Sequence, residues 1–501
     1  MKPLPPDTPE QALITQYKGS LLVVRAYAGT GKTTTLVKYA HNNLNSRILY
    51  IAYNRGIRDE AREKFPANVD CKTSHQLAYA TIGRSYQHKL TGNLRLTDIA
   101  QAVDTKNWTI AKDILDTLNA FMSSADFRIL YTHFARADTG KVLTTKQTQY
   151  ISLVVEGAEF VWSKMTTPED PFPTVHDCYL KQYQLGMPNL SRRYTTILFD
   201  EAQDSNPVTS SIVLQQHCKV ILVGDRHQQI YRFRGANNAL DSKDLAGADQ
   251  LYLTHSWRFG RNVAIVANAL LELKGETLPV VGRGASDQVV MFLPQDVGHR
   301  TVIHRTVMGV IETALAATAE GKKVYWVGGI DAYQINELQD IYWYAMAAPD
   351  RVRNKKLLDD FQDYGEYQEV AKATKDPEMS RAIKIIGSYD SLPDLLTLLR
   401  LNTVKEEFGA DITVSTAHRC KGLEWDNVQL YDDFPDVLDP ELDITTRDDE
   451  INLLYVASTR AMRVLALNSA VEMVIRYITH KRLVEKQMKL AAKATEDGAT
   501  Q

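Results

Sequence analysis

The chain has 501 residues, 44% of them hydrophobic and 24% charged, enough for about three or four domains with ordinary packed cores. Its formal net charge of −3 excludes a protein that coats nucleic acid through a global basic field, so any such contact has to follow a local basic track. Cys71, Cys178, Cys218 and Cys420 form no CxxC pair, and no apolar run reaches the ~18 residues of a membrane span, so neither a zinc or iron–sulfur site nor a membrane crossing is expected.

The polar, Pro-rich start MKPLPPDTPEQ is unlike a signal peptide. A cytoplasmic location, or a nuclear one in a eukaryote, is expected. Ser20–Ala26 (SLLVVRA) is a short apolar run with β-branched residues and reads as a buried strand. Lys32 to Leu44 reads as a helix, and Arg47–Tyr53 (RILYIAY) as a second strand. Strand, helix, strand in close succession predicts a parallel sheet. From about Thr81 to Arg193 the apolar spacing turns helical, as in TDIAQAVDTKNWTIAKDILDTLNAFM. Strands resume at Tyr194–Phe199 and Lys219–Val223, then at Tyr325–Val327, Ile412–Ser415 and Val464–Leu467. The charged C-terminal segment is expected to be a helix that frays into a flexible tail over 486–501.

Between the first strand and its helix lies AYAGTGKT, Ala26 to Thr33. This is the setting of a phosphate-binding loop, although Ala26 stands where the general pattern has its first glycine. Gly29 and Gly31 let successive N–H groups of Ala28, Gly29, Thr30 and Gly31 face one anion. The following helix adds the positive end of its dipole. Lys32 is placed to reach the β- and γ-phosphates of ATP, and the Thr33 hydroxyl to hold Mg²⁺. ILFDEAQD, Ile197 to Asp204, is a buried strand running into polar residues. Asp200 falls at the carboxyl end of that strand, where α/β sheets place their ligands, and can hold Mg²⁺. Glu201 can polarise an attacking water.

DEAQD followed by VGDRHQQIYRFRGA (Val223–Ala236) resembles the UvrD/Rep group of superfamily 1 DNA helicases. Further motifs come in the family's order: TPEQ (Thr8–Gln11), ILYIAYNRGIRDEA (Ile48–Ala61), CKTSHQLAY (Cys71–Tyr79), LTHSWRFGRNVAIVAN (Leu253–Asn268), ITVSTAHRCKGLEWDNV (Ile412–Val428) and EINLLYVASTRAM (Glu450–Met462). The wording of several is similar to the F-box DNA helicase branch, although no F-box precedes Thr8 and no nuclease motif is visible at the C-terminus. The resemblance implies an α/β fold of two RecA-like P-loop NTPase domains, with a helical insertion in the first and a reduced insertion in the second. The expected division is 1–80 and 194–250 for the first domain, 81–193 for its insertion, 251–330 and 401–485 for the second domain, and 331–400 for its insertion.

Roles follow from the resemblance. Gln11 would read adenine and Glu424 would contact the ribose. Gln228 would sense the γ-phosphate, and Arg258 and Arg460 would touch it from the second domain. Thr34 stands where the family often has Arg, still beside the nucleotide. Sequence-independent binding of a single strand needs a phosphate track and aromatic platforms. Tyr231, Phe233 and Arg234 follow Gln228, and Tyr53 and Asn54 follow a strand end. Thr73, His75, Thr416 and His418 offer hydroxyl and imidazole donors to phosphate. Trp257 and Trp425 are either stacking residues or core anchors. The expected function is an ATP-dependent translocase or helicase on single-stranded DNA and single-/double-strand junctions, of 3′→5′ polarity, in repair, recombination or replication. The alternatives are a translocase that strips proteins from DNA with little unwinding, and a DNA-sensing ATPase subunit of a larger complex. The short second insertion makes strand separation the less secure half of that expectation.

Overall fold

The computed structural model describes residues 6–134, 143–232, 238–294, 297–374, 376–389 and 391–498. The chain opens with α1 (Pro9–Thr15), whose N-cap Thr8 exchanges hydrogen bonds with Gln11. Next come β1 (Leu21–Ala26), α2 (Lys32–His41), β2 (Ile48–Ala52), α3 (Arg55–Lys64) and β3 (Val69–Thr73). A mostly helical excursion follows: α4 (Ser74–Thr81), β4 (Leu90–Thr91), α5 (Leu96–Ala102), α6 (Trp108–Ser123), α7 (Thr145–Thr166), β5 (Thr174–Val175) and α8 (His176–Leu185). The chain then returns with β6 (Thr196–Phe199), α9 (Pro207–Leu214), β7 (Lys219–Gly224) and β8 (Asp249–Leu253).

These strands form a parallel sheet in the order β3-β2-β6-β7-β1-β8. Its side chains obey the period of two that a sheet imposes. Leu22, Val24, Tyr50, Leu198 and Ile221 belong to one core cluster. Their neighbours Val23, Leu49, Ile51, Ile197 and Leu222 belong to another. Both faces are therefore covered, as a parallel sheet requires. Each fully buried Val, Leu or Ile contributes about 1.5–3 kcal/mol.

The second half comprises β9 (His255–Ser256), α10 (Arg261–Leu273), β10 (Val281–Gly282), β11 (Gln288–Val290), β12 (Arg300–His304), α11 (Val307–Ala319) and β13 (Val324–Trp326). Five helices intervene: α12 (Ile335–Ala345), α13 (Lys355–Asp360), α14 (Tyr364–Thr374), α15 (Pro377–Ser388) and α16 (Leu392–Leu401). The rest is β14 (Thr403–Val404), β15 (Ile412–Thr416), β16 (Trp425–Leu430), α17 (Ile444–Ser458), β17 (Ala461–Ala466) and α18 (Ser469–Gly498). The second sheet is parallel too, in the order β11-β17-β16-β12-β15-β13-β14. Two all-parallel, helix-covered sheets are the two RecA-like α/β domains that the sequence led us to expect.

The two helical excursions pack differently. Much of the first has its own core, built on Ile114, Leu118, Phe121, Val154 and Val161, while Tyr86, Tyr179, Leu180 and Tyr183 join the core of the first sheet. The second shares one core with its sheet: Leu338, Ile341 and Leu396 lie in the same cluster as Val302, Trp326 and Val414. The two excursions meet where Arg95 pairs with Asp360 at 3.6 Å.

Several elements depart from expectation. The helix after the glycine loop ends at His41, not Leu44, and β17 begins at Ala461. The segment expected to fray from 486 continues α18 to Gly498. β3, β8, β11, β12 and β16 have no counterpart in the sequence reading. β12 (RTVIH) sits between β15 and β16, yet carries just two apolar residues, Val302 and Ile303, beside a threonine and between an arginine and a histidine. His304 is fully buried because Thr313 Oγ1, at 2.8 Å from Nε2, satisfies its ring.

Candidate functional site

The carboxyl ends of β1, β6 and β7 converge on one cleft. β1 leads into a loop in which Gly29 and Gly31 hold φ of +73° and +77°, a region that costs other residues steric strain. At Gly29 a Cβ would also lie 2.5 Å from Ser256 Oγ and 2.7 Å from Arg258 Cβ, so glycine is required on both counts. The Trp257 N–H donates to Gly29 O at 2.9 Å. The Ala28 N–H donates to the Tyr455 hydroxyl at 3.1 Å.

The cleft has a volume of about 520 Å³. From the first sheet it is lined by Gly29, Thr30, Gly31, Lys32, Thr33, Thr34, Asp200, Glu201 and Gln228, and from the second half by Trp257, Arg258, Lys421, Glu424 and Arg460. Thr33 donates to Asp200 Oδ2 at 2.8 Å, and the buried Tyr50 hydroxyl donates to the same oxygen at 2.8 Å. Lys32 Nζ lies 3.1 Å from Glu201 Oε1. Burial disfavours the Lys32 charge, but Glu201, Asp225 and Asp200 overcome it and hold the ammonium above its ordinary value. Burial, then the Glu201 charge, pushes the Asp200 carboxyl up. Burial acts on Glu201 as well, yet Lys32 and Lys421 hold that carboxyl well below the usual range. Glu201 has left-handed backbone, φ +51°, strain that turns the chain sharply at the strand end.

A hydroxyl and a carboxylate oxygen meeting at 2.8 Å are the hard oxygen ligands Mg²⁺ selects. No group of three or more His, Cys, Asp or Glu side chains among the described residues could hold a metal ion. Thr33 and Asp200 therefore suit a cation that arrives with phosphate oxygens.

The second half presents its cations in a waiting arrangement. Arg258 Nε donates to Glu424 Oε2 at 2.7 Å, and Nη1 reaches Thr459 O at 3.4 Å. Arg460 is 1% exposed. Its hydrogen bonds go to neutral oxygens: Val456 O at 2.7 Å, Leu423 O at 3.1 Å and Thr459 Oγ1 at 3.0 Å. Burial, then the Arg258 charge, pushes its guanidinium down to about 9. An anion entering the cleft would offset both effects by pairing with the guanidinium. Lys421 forms an ion pair with Asp204 across the same cleft.

Gln11 lies behind the loop. Its Nε2 donates to Thr35 Oγ1 at 3.1 Å, and its Oε1 accepts from Lys38 at 3.3 Å. It does not line the cleft. Ala28 offers its N–H to Tyr455, not to the cleft.

Most of the described residues expected to contact nucleic acid line two adjoining hollows that share Tyr231; Tyr53, Asn54 and Tyr231 also line the phosphate cleft, and Thr73 lines neither hollow. One, of about 190 Å³, takes in Tyr53 and His75. The other, of about 890 Å³, takes in Asn54, Thr416 and His418 with Arg305, Arg381, Arg419 and Lys421. Tyr53 and Tyr231 stack at 5.7 Å with 13° between their planes, and the Tyr231 hydroxyl donates to His418 O at 3.0 Å. His75 pairs with Asp177 of the first insertion at 2.9 Å. Asn54 and Thr73 spend side-chain oxygens as N-caps of α3 and α4. Phe233 and Arg234 lie outside the described residues.

The two tryptophans separate. Trp425 is 7% exposed and donates to Glu407 at 2.6 Å, a core anchor. Trp257 is 54% exposed and lines the phosphate cleft, whose wall Tyr53 and Tyr231 share, but it lines neither of the two hollows. Tyr50, Asp204, Lys421 and Tyr455 were not singled out by the sequence. For Tyr50 there was a signal, since a phenol inside a buried strand needs a polar partner.

Residues 7–244 match the model of the UvrD/REP helicase N-terminal domain. Full-length comparison extends the likeness beyond that domain. The chain is 32% identical to F-box DNA helicase 1 of Gallus gallus over 93% of its length and 49% of that protein. It is 32% identical to F-box DNA helicase protein 1 of Schizosaccharomyces pombe, over 93% of the chain and 57% of that protein. ATP-dependent DNA helicase PcrA of Leuconostoc citreum is 26% identical over 57% of the chain and 42% of that protein. The chain thus spans about half the length of the curated relatives it matches. No helix among the described residues is long and apolar enough to cross a membrane.

Proposed function

We propose that the protein is an ATP-driven DNA helicase or translocase that moves on single-stranded DNA, with 3′→5′ polarity, in DNA repair, recombination or replication. One observation carries the reading: the UvrD/REP phosphate loop and carboxylates of the first sheet share a single cleft with two arginines of the second half. A triphosphate in that cleft would bridge the halves. The loop N–H groups and Lys32 would hold the phosphates. Thr33 and Asp200 would hold Mg²⁺, which would neutralise charge developing on the phosphate oxygens. Glu201, ionised at neutral pH, would orient the attacking water. Arg258 would exchange Glu424, and Arg460 its neutral carbonyls, for the γ-phosphate. Hydrolysis would then depend on cleft closure, which lets a motor couple ATP to stepping.

The cationic hollow beside Tyr231 supplies the strand track, and the stacked Tyr53 and Tyr231 supply a base-sized platform. The names of the matched relatives, DNA helicases, agree with this substrate. The test is ATP turnover with and without single-stranded DNA, for the wild type and Lys32→Ala. Turnover should rise with DNA and vanish in the variant; wild-type turnover indifferent to DNA would defeat the reading. A second reading, a translocase that strips proteins with little unwinding, is favoured by the second insertion, which is built into its sheet's core and does not stand free as a wedge. Strand-displacement and protein-removal assays separate the two.

A further inference from the structure

We propose that Tyr455 is a positioning residue: through its hydroxyl, α17 of the second domain holds both the phosphate loop and the Gln228 turn of the first in working geometry. The inference rests on the ATP-driven reading and adds the route by which one domain senses the other. Tyr455 is 1% exposed, so its hydroxyl has protein partners in place of water. It accepts from the Ala28 N–H at 3.1 Å and donates to Asp225 Oδ2 at 3.2 Å. That same carboxylate oxygen accepts from Gln228 Nε2 at 2.7 Å, and Asp225 Oδ1 accepts from the His227 N–H at 3.0 Å. One phenolic oxygen thus stands between the phosphate loop and the carboxylate that fixes the Gln228 amide.

The neighbourhood makes this more than a chance contact. One turn earlier on α17, Asn452 donates to Gln229 O at 2.8 Å and accepts from Lys274 at 2.7 Å. The Gln228 turn is therefore gripped twice by the same helix. The Tyr455 ring also packs with Tyr27 and Ala28 in a cluster that joins the loop to the second domain. Withdrawal of α17 would leave the Ala28 N–H without an acceptor and Asp225 with one donor fewer. Leaving a buried polar group unsatisfied is costly. The loop and the Gln228 amide would both relax when the domains part, and set again when they close.

Tyr455→Phe keeps the ring and deletes the hydroxyl. Three measurements test the proposal. Amide hydrogen exchange over residues 26–31 should quicken in the variant while the unfolding midpoint stays close to wild type. DNA-stimulated kcat should fall about tenfold, the size of one buried hydrogen bond, with KM for ATP changed far less. In a double-mutant cycle with Gln228→Ala, the pair should lose less than the product of the two single losses, because part of the Tyr455 effect runs through that side chain. Unchanged exchange over 26–31, a kcat within twofold of wild type, or effects that multiply would each overturn it. A wild type without DNA-stimulated turnover would instead overturn the motor reading, and the exchange measurement would still judge the link.

Discussion

Arg258 and Glu424 occupy each other across 2.7 Å in the nucleotide cleft. The arginine expected at the γ-phosphate and the glutamate expected at the ribose are thus paired side chain to side chain. ATP has to part them before either can serve it. On the proposed reading the pair would act as a latch, worth about 1 kcal/mol at so exposed a site. Glu424→Gln should release the guanidinium and raise ATP turnover without DNA about fivefold. A DNA-free rate equal to or below wild type would show that the pair restrains nothing.

Trp257 gives a direct optical test. Its ring is half exposed at the cleft mouth, and its backbone N–H is bonded to Gly29 O. Nucleotide should change its fluorescence, and Trp257→Ala should weaken ATP binding about tenfold by removing an aromatic face. Affinity for a single strand should hardly move. If titrations gave the opposite split, the ring would belong to the DNA path.

Glu201 should separate binding from chemistry. Glu201→Gln keeps the shape and removes the negative charge that Lys32 and Lys421 maintain. Turnover should fall about 10²–10⁴-fold while ATP is still bound, as equilibrium binding would report. Retained turnover would move the water-orienting role elsewhere.

Asp204 sets a pH dependence. Burial raises its carboxyl to about 6; Lys421 opposes the shift and the Glu201 charge adds to it. In the unfolded chain the group titrates near its ordinary value of 3.8. Between those values the folded chain binds more protons, so stability falls as pH rises from about 4 to about 6 and levels off above. The limiting effect is about 3 kcal/mol. Denaturant unfolding of wild type and Asp204→Asn should show their difference drifting in that sense across the window, whereas a parallel pair of curves would exclude it. The charge partner of Lys421 is complete only above pH about 6, so the ion pair across the cleft weakens in acid.

The parts of the site that could be read from sequence are contiguous in the chain. The phosphate loop occupies eight residues and DEAQD five, each at the end of an apolar strand. Arg258 and Arg460 came through resemblance, since no local pattern marks an arginine that acts from another domain. The relationships that complete the site join residues far apart: Tyr50 with Asp200 across 150 positions, Lys421 with Asp204 across 217, Tyr455 with Ala28 across 427. No window of sequence contains both ends of such a bond. The same limit hid β12, whose burial comes from neighbours on either side and not from its own text. Trp257 and Trp425 were alike in sequence and were parted only by where the chain carries them.

The shared core of the second insertion bears on how this chain could be shortened. Excising residues 330–401 would not leave a trimmed pair of motor sheets. It would strip the cover from Val302, Trp326 and Val414 and bare an apolar face that invites aggregation. The first insertion is divided: Ile114, Phe121 and Val154 pack in a core of their own, while Tyr86, Tyr179, Leu180 and Tyr183 pack into the core of the first sheet. Variation in this architecture should therefore accumulate in the separately packed part of the first insertion, while the second is constrained by the sheet it helps to fold.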